Sequence, residues 1–250
     1  MFAESCHETI TYEKIEAPLA SFEDAIATFF SHPETVGCNV TVPFKQQAFE
    51  LSRSTCDNAA RAAKAVNTLV KNADGRLAGH NTDGTGLVND LRNQGVTLEG
   101  RTILLLGAGG AARGVIRPLL EAGINKLIIT NRTHDTARTL ASEAEQSNCD
   151  SVMAQHLNRY AVDIVINSTS ASLNNSVPDC GTLDFSSCEL AYDMVYGKSD
   201  TAFMQFAQAH GATHVADGLG MLVEQAAAAF TLWTGKAPET HPVISHLRAR

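Results

Sequence analysis

The stretch "TILLLGAGGAARGVIRPLLEAG", residues 102–123, constrains the fold more than any other part of the chain. Its opening apolar run cannot leave either face in water, so it predicts a strand buried on both sides, as in a parallel sheet covered by helices. Gly107 to Ala112 then fit the pattern G-x-G-x-x-(G/A), directly after the strand and at the start of a helix. That context is what a dinucleotide-binding turn requires. The glycines allow a tight turn and bring backbone N–H groups close to a pyrophosphate. The helix N-terminus adds a partial positive charge. A tight turn without a ligand is the plainer alternative; the strand–turn–helix context favours the dinucleotide.

Similar units continue downstream. "KLIIT", "DIVINST" and "LAYDMVY" read as further strands. They alternate with helical patterns over "TARTLASEAEQ" and residues 200–210. After "THVADGLGM" comes a long helix over about 221–234. Such alternation predicts βαβ units and a mostly parallel sheet. The first third reads differently. Residues 10–15 predict a strand. Residues 21–31 predict a helix with Phe22, Ile26 and Phe29 on one face. "GCNVTV" predicts a strand ending at Pro43, followed by a helix over 44–53. "AVNTLVKNADGRLAGHN" predicts a hairpin turning at Asp74-Gly75. A helix should begin near Thr82-Asp83, where Gly84 and Gly86 permit close approach of backbone or ligand. The change of pattern near residue 82 divides the chain. The expected fold class is α/β with two domains: an N-terminal α/β substrate domain (1–82) and a Rossmann-like domain (83–218) with a mostly parallel sheet.

Composition removes several function classes. The 250 residues are 44% hydrophobic and 18% charged, enough to bury a core. A net charge of −8, from 19 basic and 27 acidic residues, gives no general attraction to nucleic acid or anionic membrane. No stretch reaches the roughly 20 apolar residues of a membrane span, and the N-terminus lacks a signal-peptide core. The six cysteines form no CxxC pair and no metal spacing with histidine, so reduced thiols in a cytoplasmic protein are expected and no metal site is.

The end of the second strand of a dinucleotide domain discriminates NAD from NADP. An NAD site usually places Asp or Glu there, against the ribose 2′-hydroxyl. This chain has Asn131-Arg132-Thr133. An arginine can stack on adenine and pair with a 2′-phosphate, so the local chemistry favours NADP. A nicotinamide enzyme that oxidises an alcohol must also move a proton, through a side chain in hydrogen-bond reach of the hydroxyl. Lys45 and Asp83 are the first candidates, since each follows a short strand and opens a helix. Spacing alone leaves other roles open: Asp83 as a helix cap, Lys45 as a solvated lysine. Asn67 and Asn81 suit either a substrate hydroxyl or a turn. Gln225 lies on an alanine-rich helix and needs a partner if buried.

Together the motifs "NVTVPFK", "AVNTL", "GHNTDGTG", "LLLGAGGAARGV", "TNRT", "VINSTS", "YDMVY" and "DGLGMLVEQAA" resemble the shikimate dehydrogenase family, in the family's order. The resemblance implies reversible NADPH-dependent reduction of 3-dehydroshikimate to shikimate, on the route to aromatic amino acids. It makes Lys45 and Asp83 the acid–base pair. Thr41, Asn67, Tyr196 and Gln225 join them as substrate contacts. The implied NADP contacts are Gly107, Ala108, Gly109, Gly110, Ala111, Asn131, Arg132, Thr133 and Thr169, with Met194 and Gly218 beside the nicotinamide. C-terminal helices over about 219–250 should complete the substrate domain. The implied enzyme is cytoplasmic, a monomer or a homodimer.

Two departures stand out. The family's opening strand and its Ser-x-Ser segment have no counterpart here, which predicts low activity or stability for the chain as written. Ser168 and Ser172 occupy places where the family usually has Ala and Gly. Two rival readings remain beside the main one: a quinate/shikimate dehydrogenase, and a truncated non-catalytic NADP-binding relative.

Overall fold

Helices and strands alternate along residues 1–249, which the computed structural model describes. In chain order they are α1 (Phe2–Ser5), α2 (Phe22–Phe30), β1 (Gly37–Asn39), α3 (Lys45–Ser52), α4 (Asn58–Ala63), β2 (Thr68–Lys71), β3 (Leu77–His80) and α5 (Asp83–Asn93). There follow β4 (Thr102–Leu106), α6 (Gly110–Glu121), β5 (Lys126–Thr130), α7 (His134–Glu143), β6 (Cys149–Ser151), β7 (Ile164–Asn167) and β8 (Leu190–Asp193). The last elements are α8 (Ala202–Ala209), β9 (His214–Asp217), α9 (Leu219–Thr234) and α10 (His241–Arg248). The chain divides into two units: Met1–Asp83 with Val223–Arg250, and Gly84–Leu222. The second change of unit falls within α9.

In the second unit six parallel strands run in the order β6-β5-β4-β7-β8-β9. Successive strand side chains point to opposite faces, and both faces here are apolar. Ile103 and Leu105 of β4 join one core with Leu127, Ile129, Ile164 and Ile166. Leu104 and Leu106 join the other with Ile128 and Val165. This is why the runs are apolar without alternation: each strand supplies two layers. Each fully buried leucine or isoleucine contributes roughly 1.5–3 kcal/mol. The helix over "TARTLASEAEQ" begins earlier than the pattern suggests, at His134. Strand β6 went unpredicted because Cys-Asp-Ser is short and polar, as an edge strand can be. Tyr192 of β8 is buried and donates to Asp90 Oδ2 of α5 at 2.6 Å. Burial, and then the Asp90 carboxylate, push its phenol well above the usual 10.0.

The first unit holds an antiparallel sheet in the order β1-β2-β3. The β2–β3 hairpin forms as expected, with Gly75 at φ +82° in its turn. Phe22, Ile26, Phe30, Ala48, Phe49 and Leu69 build its core. Four details differ from the sequence reading. Residues 10–15 enter neither sheet; alternation supplies a pattern for pairing but no partner strand. The buried face of α2 uses Phe30, with Phe29 only partly covered. Strand β1 stops at Asn39 because a turn begins at Val42, which is 78% exposed. Helix α4 carried no pattern long enough to read.

Candidate active site

A polar network in the first unit grows directly from the hairpin. The Asn67 N–H donates to the His80 carbonyl, and Val40 N–H to the Asn67 carbonyl, so β1, β2 and β3 meet at Asn67. Val66 N–H donates to the carbonyl of Lys45 at 2.9 Å, which ties the first residue of α3 to the same point. Asn81 closes the turn into α5: its Nδ2 donates to the Ala65 carbonyl, and its Oδ1 accepts from Asp83 N–H.

These ties bring four of the sequence candidates together. Lys45 Nζ lies 2.6 Å from Asp83 Oδ2. Asn67 Nδ2 donates to Asp83 Oδ1 at 2.8 Å and to Gln225 Oε1 at 3.0 Å. Asn67 Oδ1 accepts from Thr82 N–H at 2.9 Å. The Lys45 and Asp83 side chains are 28% and 19% exposed, while Asn67 is 2% exposed. A half-open ion pair on a buried amide is the local setting. The Asp83 oxygens take donors from Lys45 and Asn67 rather than from the first turn of α5. An ammonium and a carboxylate at this distance can pass a proton to or from a hydroxyl beside them.

Thr41 stands apart from that network. It is exposed, one residue before the turn, and its carbonyl accepts from Phe44 N–H. Thr82 carries network bonds that the sequence did not single out. Its hydroxyl lies 3.0 Å from Asn67 Nδ2 and is buried.

The second unit gathers the remaining candidates at the carboxyl ends of parallel strands, where open α/β sheets take ligands. Gly107 has φ +104°, and a Cβ there would lie 2.7 Å from Ser168 Oγ and 2.9 Å from Thr169 Cγ2. Its glycine is therefore required by both conformation and space. A Cβ on Gly109 or Gly110 would meet nothing within 4 Å, so space lies open above the start of α6. Ala108 lies in the turn and Ala111 in the first turn of α6.

Asn131, Arg132 and Thr133 link β5 to α7, and Asn131 Nδ2 donates to the Thr133 carbonyl. Arg132 is exposed and carries no ion pair among the described residues. Beside this link, Thr130 Oγ1 and His134 Nδ1 are buried polar atoms without a hydrogen-bond partner. Thr169 donates through its N–H and its hydroxyl to Asn167 Oδ1. After β8 come Met194 and Tyr196, the latter 50% exposed. A Cβ on Gly218 would lie 2.2 Å from the Met194 carbonyl, so these two positions touch through backbone. Ser172, which departs from the family pattern, donates to Asp193 Oδ2 at 2.5 Å.

A doubly covered parallel sheet with an open glycine loop, together with a lysine–aspartate pair at a hairpin, defines a dinucleotide-dependent oxidoreductase class. Comparison with known proteins narrows this. Residues 1–69 match the shikimate dehydrogenase substrate binding domain, residues 90–176 match shikimate / quinate 5-dehydrogenase, and residues 218–248 match the shikimate 5'-dehydrogenase C-terminal domain. The NADP(+) shikimate dehydrogenase of Alteromonas mediterranea is 50% identical over 99% of this chain and 89% of its own length. That of Nitrosospira multiformis is likewise 50% identical, over 99% and 90%. Among solved structures, the Ael1 enzyme from Pseudomonas putida superposes with a TM-score of 0.93 at 41% identity, covering 98% of this chain and 90% of that one. Shikimate 5-dehydrogenase from Thermus thermophilus, in complex with NADP(H) and shikimate, gives 0.83 at 32% identity, covering 99% and 91%. The chain belongs to the shikimate dehydrogenase family.

Proposed function

We propose that this chain reduces 3-dehydroshikimate to shikimate with NADPH, reversibly, through Lys45 and Asp83. The ion pair of 2.6 Å between them, held on Asn67 and Gln225, is the observation that carries this reading. Curated relatives at 45–50% identity are NADP(+) shikimate dehydrogenases, and the enzyme is an NADP-dependent oxidoreductase of aromatic amino acid biosynthesis.

The residues present fit the cofactor. The space above Gly109 and Gly110 suits a pyrophosphate at the start of α6. Gly107, Ala108 and Ala111 shape the same turn. Arg132, with Asn131 and Thr133, offers a free guanidinium to the 2′-phosphate. The unpartnered Thr130 Oγ1 and His134 Nδ1 suit a polar ligand at the same strand end. Thr169 lines the far side of the glycine turn; Met194 and Gly218, which touch through backbone, would stand beside the nicotinamide. When bound, NADPH supplies the hydride.

The chain's own residues manage substrate and proton. Lys45 and Asp83 hold the reacting oxygen, and the protonated member donates to it as the carbonyl is reduced. Thr41, Asn67, Gln225 and Tyr196 bind the substrate's hydroxyl groups and ring. Within this reading the enzyme is cytoplasmic, a monomer or a homodimer.

The test follows NADPH absorbance with 3-dehydroshikimate, beside a titration of NADPH binding. Turnover that requires both reactants is expected. NADPH binding without turnover would overturn the reading and favour a non-catalytic NADP-binding protein.

A further inference from the structure

We propose that Thr68 is a positioning residue for the reduction, setting Asn67 so that its amide N–H groups face Asp83 and Gln225. The inference rests on the Lys45/Asp83 reading above. Thr68 is fully buried on β2, next to Asn67 in sequence. Its hydroxyl lies 2.9 Å from Asn67 Oδ1 and 3.1 Å from Asn39 Nδ2.

The direction of this hydroxyl follows from its neighbours. An amide nitrogen only donates, so Asn39 Nδ2 occupies a lone pair on Thr68 Oγ1. The Thr68 proton is then left for Asn67 Oδ1. Asn39 is oriented in turn by Tyr12, whose hydroxyl donates to Asn39 Oδ1 at 2.9 Å, and by the Asn67 carbonyl, which accepts from Asn39 Nδ2 at 3.3 Å. The result is a one-way chain of donors, Tyr12 to Asn39 to Thr68 to Asn67 to Asp83.

The two ends of an asparagine amide have nearly the same shape, so polarity rather than packing chooses between them. With Oδ1 fixed by Thr68 and by Thr82 N–H, Nδ2 must face Asp83 Oδ1 and Gln225 Oε1. Turned over, the amide would set its oxygen against Asp83 Oδ1 and Gln225 Oε1 and its NH2 against Thr82 N–H, keeping at best the hydroxyls of Thr68 and Thr82. Thr68 therefore acts on Asp83 through Asn67, without touching the reacting atoms. Groups that orient a reacting residue from behind are typically worth about 10- to 100-fold in activity.

Three variants test this. Thr68→Val keeps the shape and removes the hydroxyl. Asn39→Asp keeps the volume but removes the amide donor, so the Thr68 hydroxyl turns toward position 39. Thr68→Ser keeps the hydroxyl and loses a methyl group. The expected result is a fall in kcat with 3-dehydroshikimate of about tenfold or more for T68V and N39D. KM for NADPH should stay within about twofold, and T68S should recover most of the rate. A structural defect alone would not give that kcat-selective loss with rescue by serine. Wild-type kcat in folded T68V, or in N39D should T68V not fold, overturns the inference. Absence of turnover in the unmodified chain instead overturns the reading it rests on.

Discussion

Asp193 offers a sharp test of how the second unit holds its ligand-binding end. This carboxylate is fully buried at the end of β8. It accepts from Asn167 Nδ2 at 3.0 Å, Val195 N–H at 3.0 Å, Ser172 Oγ at 2.5 Å and Thr201 Oγ1 at 2.6 Å. Asn167, also fully buried, receives the N–H and hydroxyl of Thr169 on its own oxygen. Asp193→Ala removes four acceptor contacts. The two hydroxyls can rotate toward other acceptors, so they count for little. The Val195 N–H cannot rotate, and Asn167 Nδ2 keeps only a long contact of 3.4 Å to Ser172 Oγ. Two stranded donors at about 1–3 kcal/mol each give a loss of about 4 kcal/mol. At about 2–4 °C per kcal/mol for a chain of this size, Tm should fall by roughly 8–16 °C. Ser172→Ala leaves the carboxylate three donors and should cost about 1 kcal/mol, or roughly 2–4 °C. Thermal unfolding of both variants, with NADPH titration of each, makes the comparison. The aspartate variant should also bind NADPH more weakly, since Thr169 loses its anchor. A D193A Tm within about 3 °C of the unmodified chain would refute the accounting.

Arg132→Ala should raise KM for NADPH by about 10- to 100-fold, the worth of a charge-assisted contact, while KM for NADH changes little; equal losses for both would remove Arg132 from the 2′-phosphate. Burial pushes the thiols of Cys38, Cys180 and Cys188 up to about 12, and that of Cys149 to about 11, from 9.0. A raised folded value favours the fold below pH 9 and withdraws that support as pH climbs toward 12, so Tm should decline across that window. The buried thiols of Cys149, Cys180 and Cys188 should react with a disulfide reagent only as the protein unfolds, and rapid labelling of these three in the native protein would contradict their burial.

How much was legible in the sequence depended on what each segment had to satisfy. β4, β5, β7 and β8 were readable because each feeds two cores at once, and that demand leaves an unbroken apolar run. β6 was not readable, because an edge strand of Cys-Asp-Ser meets no such demand. Residues 10–15 read as a strand, yet pairing is a property of two segments, and none of the described strands pairs with them. The candidate site divides in the same way. The glycine loop was legible because a positive φ and close approach admit few other residues at Gly107. Lys45 and Asp83 were nameable as candidates from their positions, but the meeting of both Asp83 oxygens with side chains, Lys45 and Asn67, shows only in the geometry. Thr68 and Thr82 were invisible, since a threonine in or beside a strand is ordinary and its hydroxyl has meaning only through partners brought in from elsewhere.

In the proposed reaction Lys45 with Asp83 moves the proton. The most direct measurement is kcat of Lys45→Ala with 3-dehydroshikimate at saturating NADPH, beside the Kd for NADPH of the same preparation. A fall in kcat on the order of 10²–10⁴-fold is expected, with Kd within about twofold. A kcat within about threefold of the unmodified chain would contradict it.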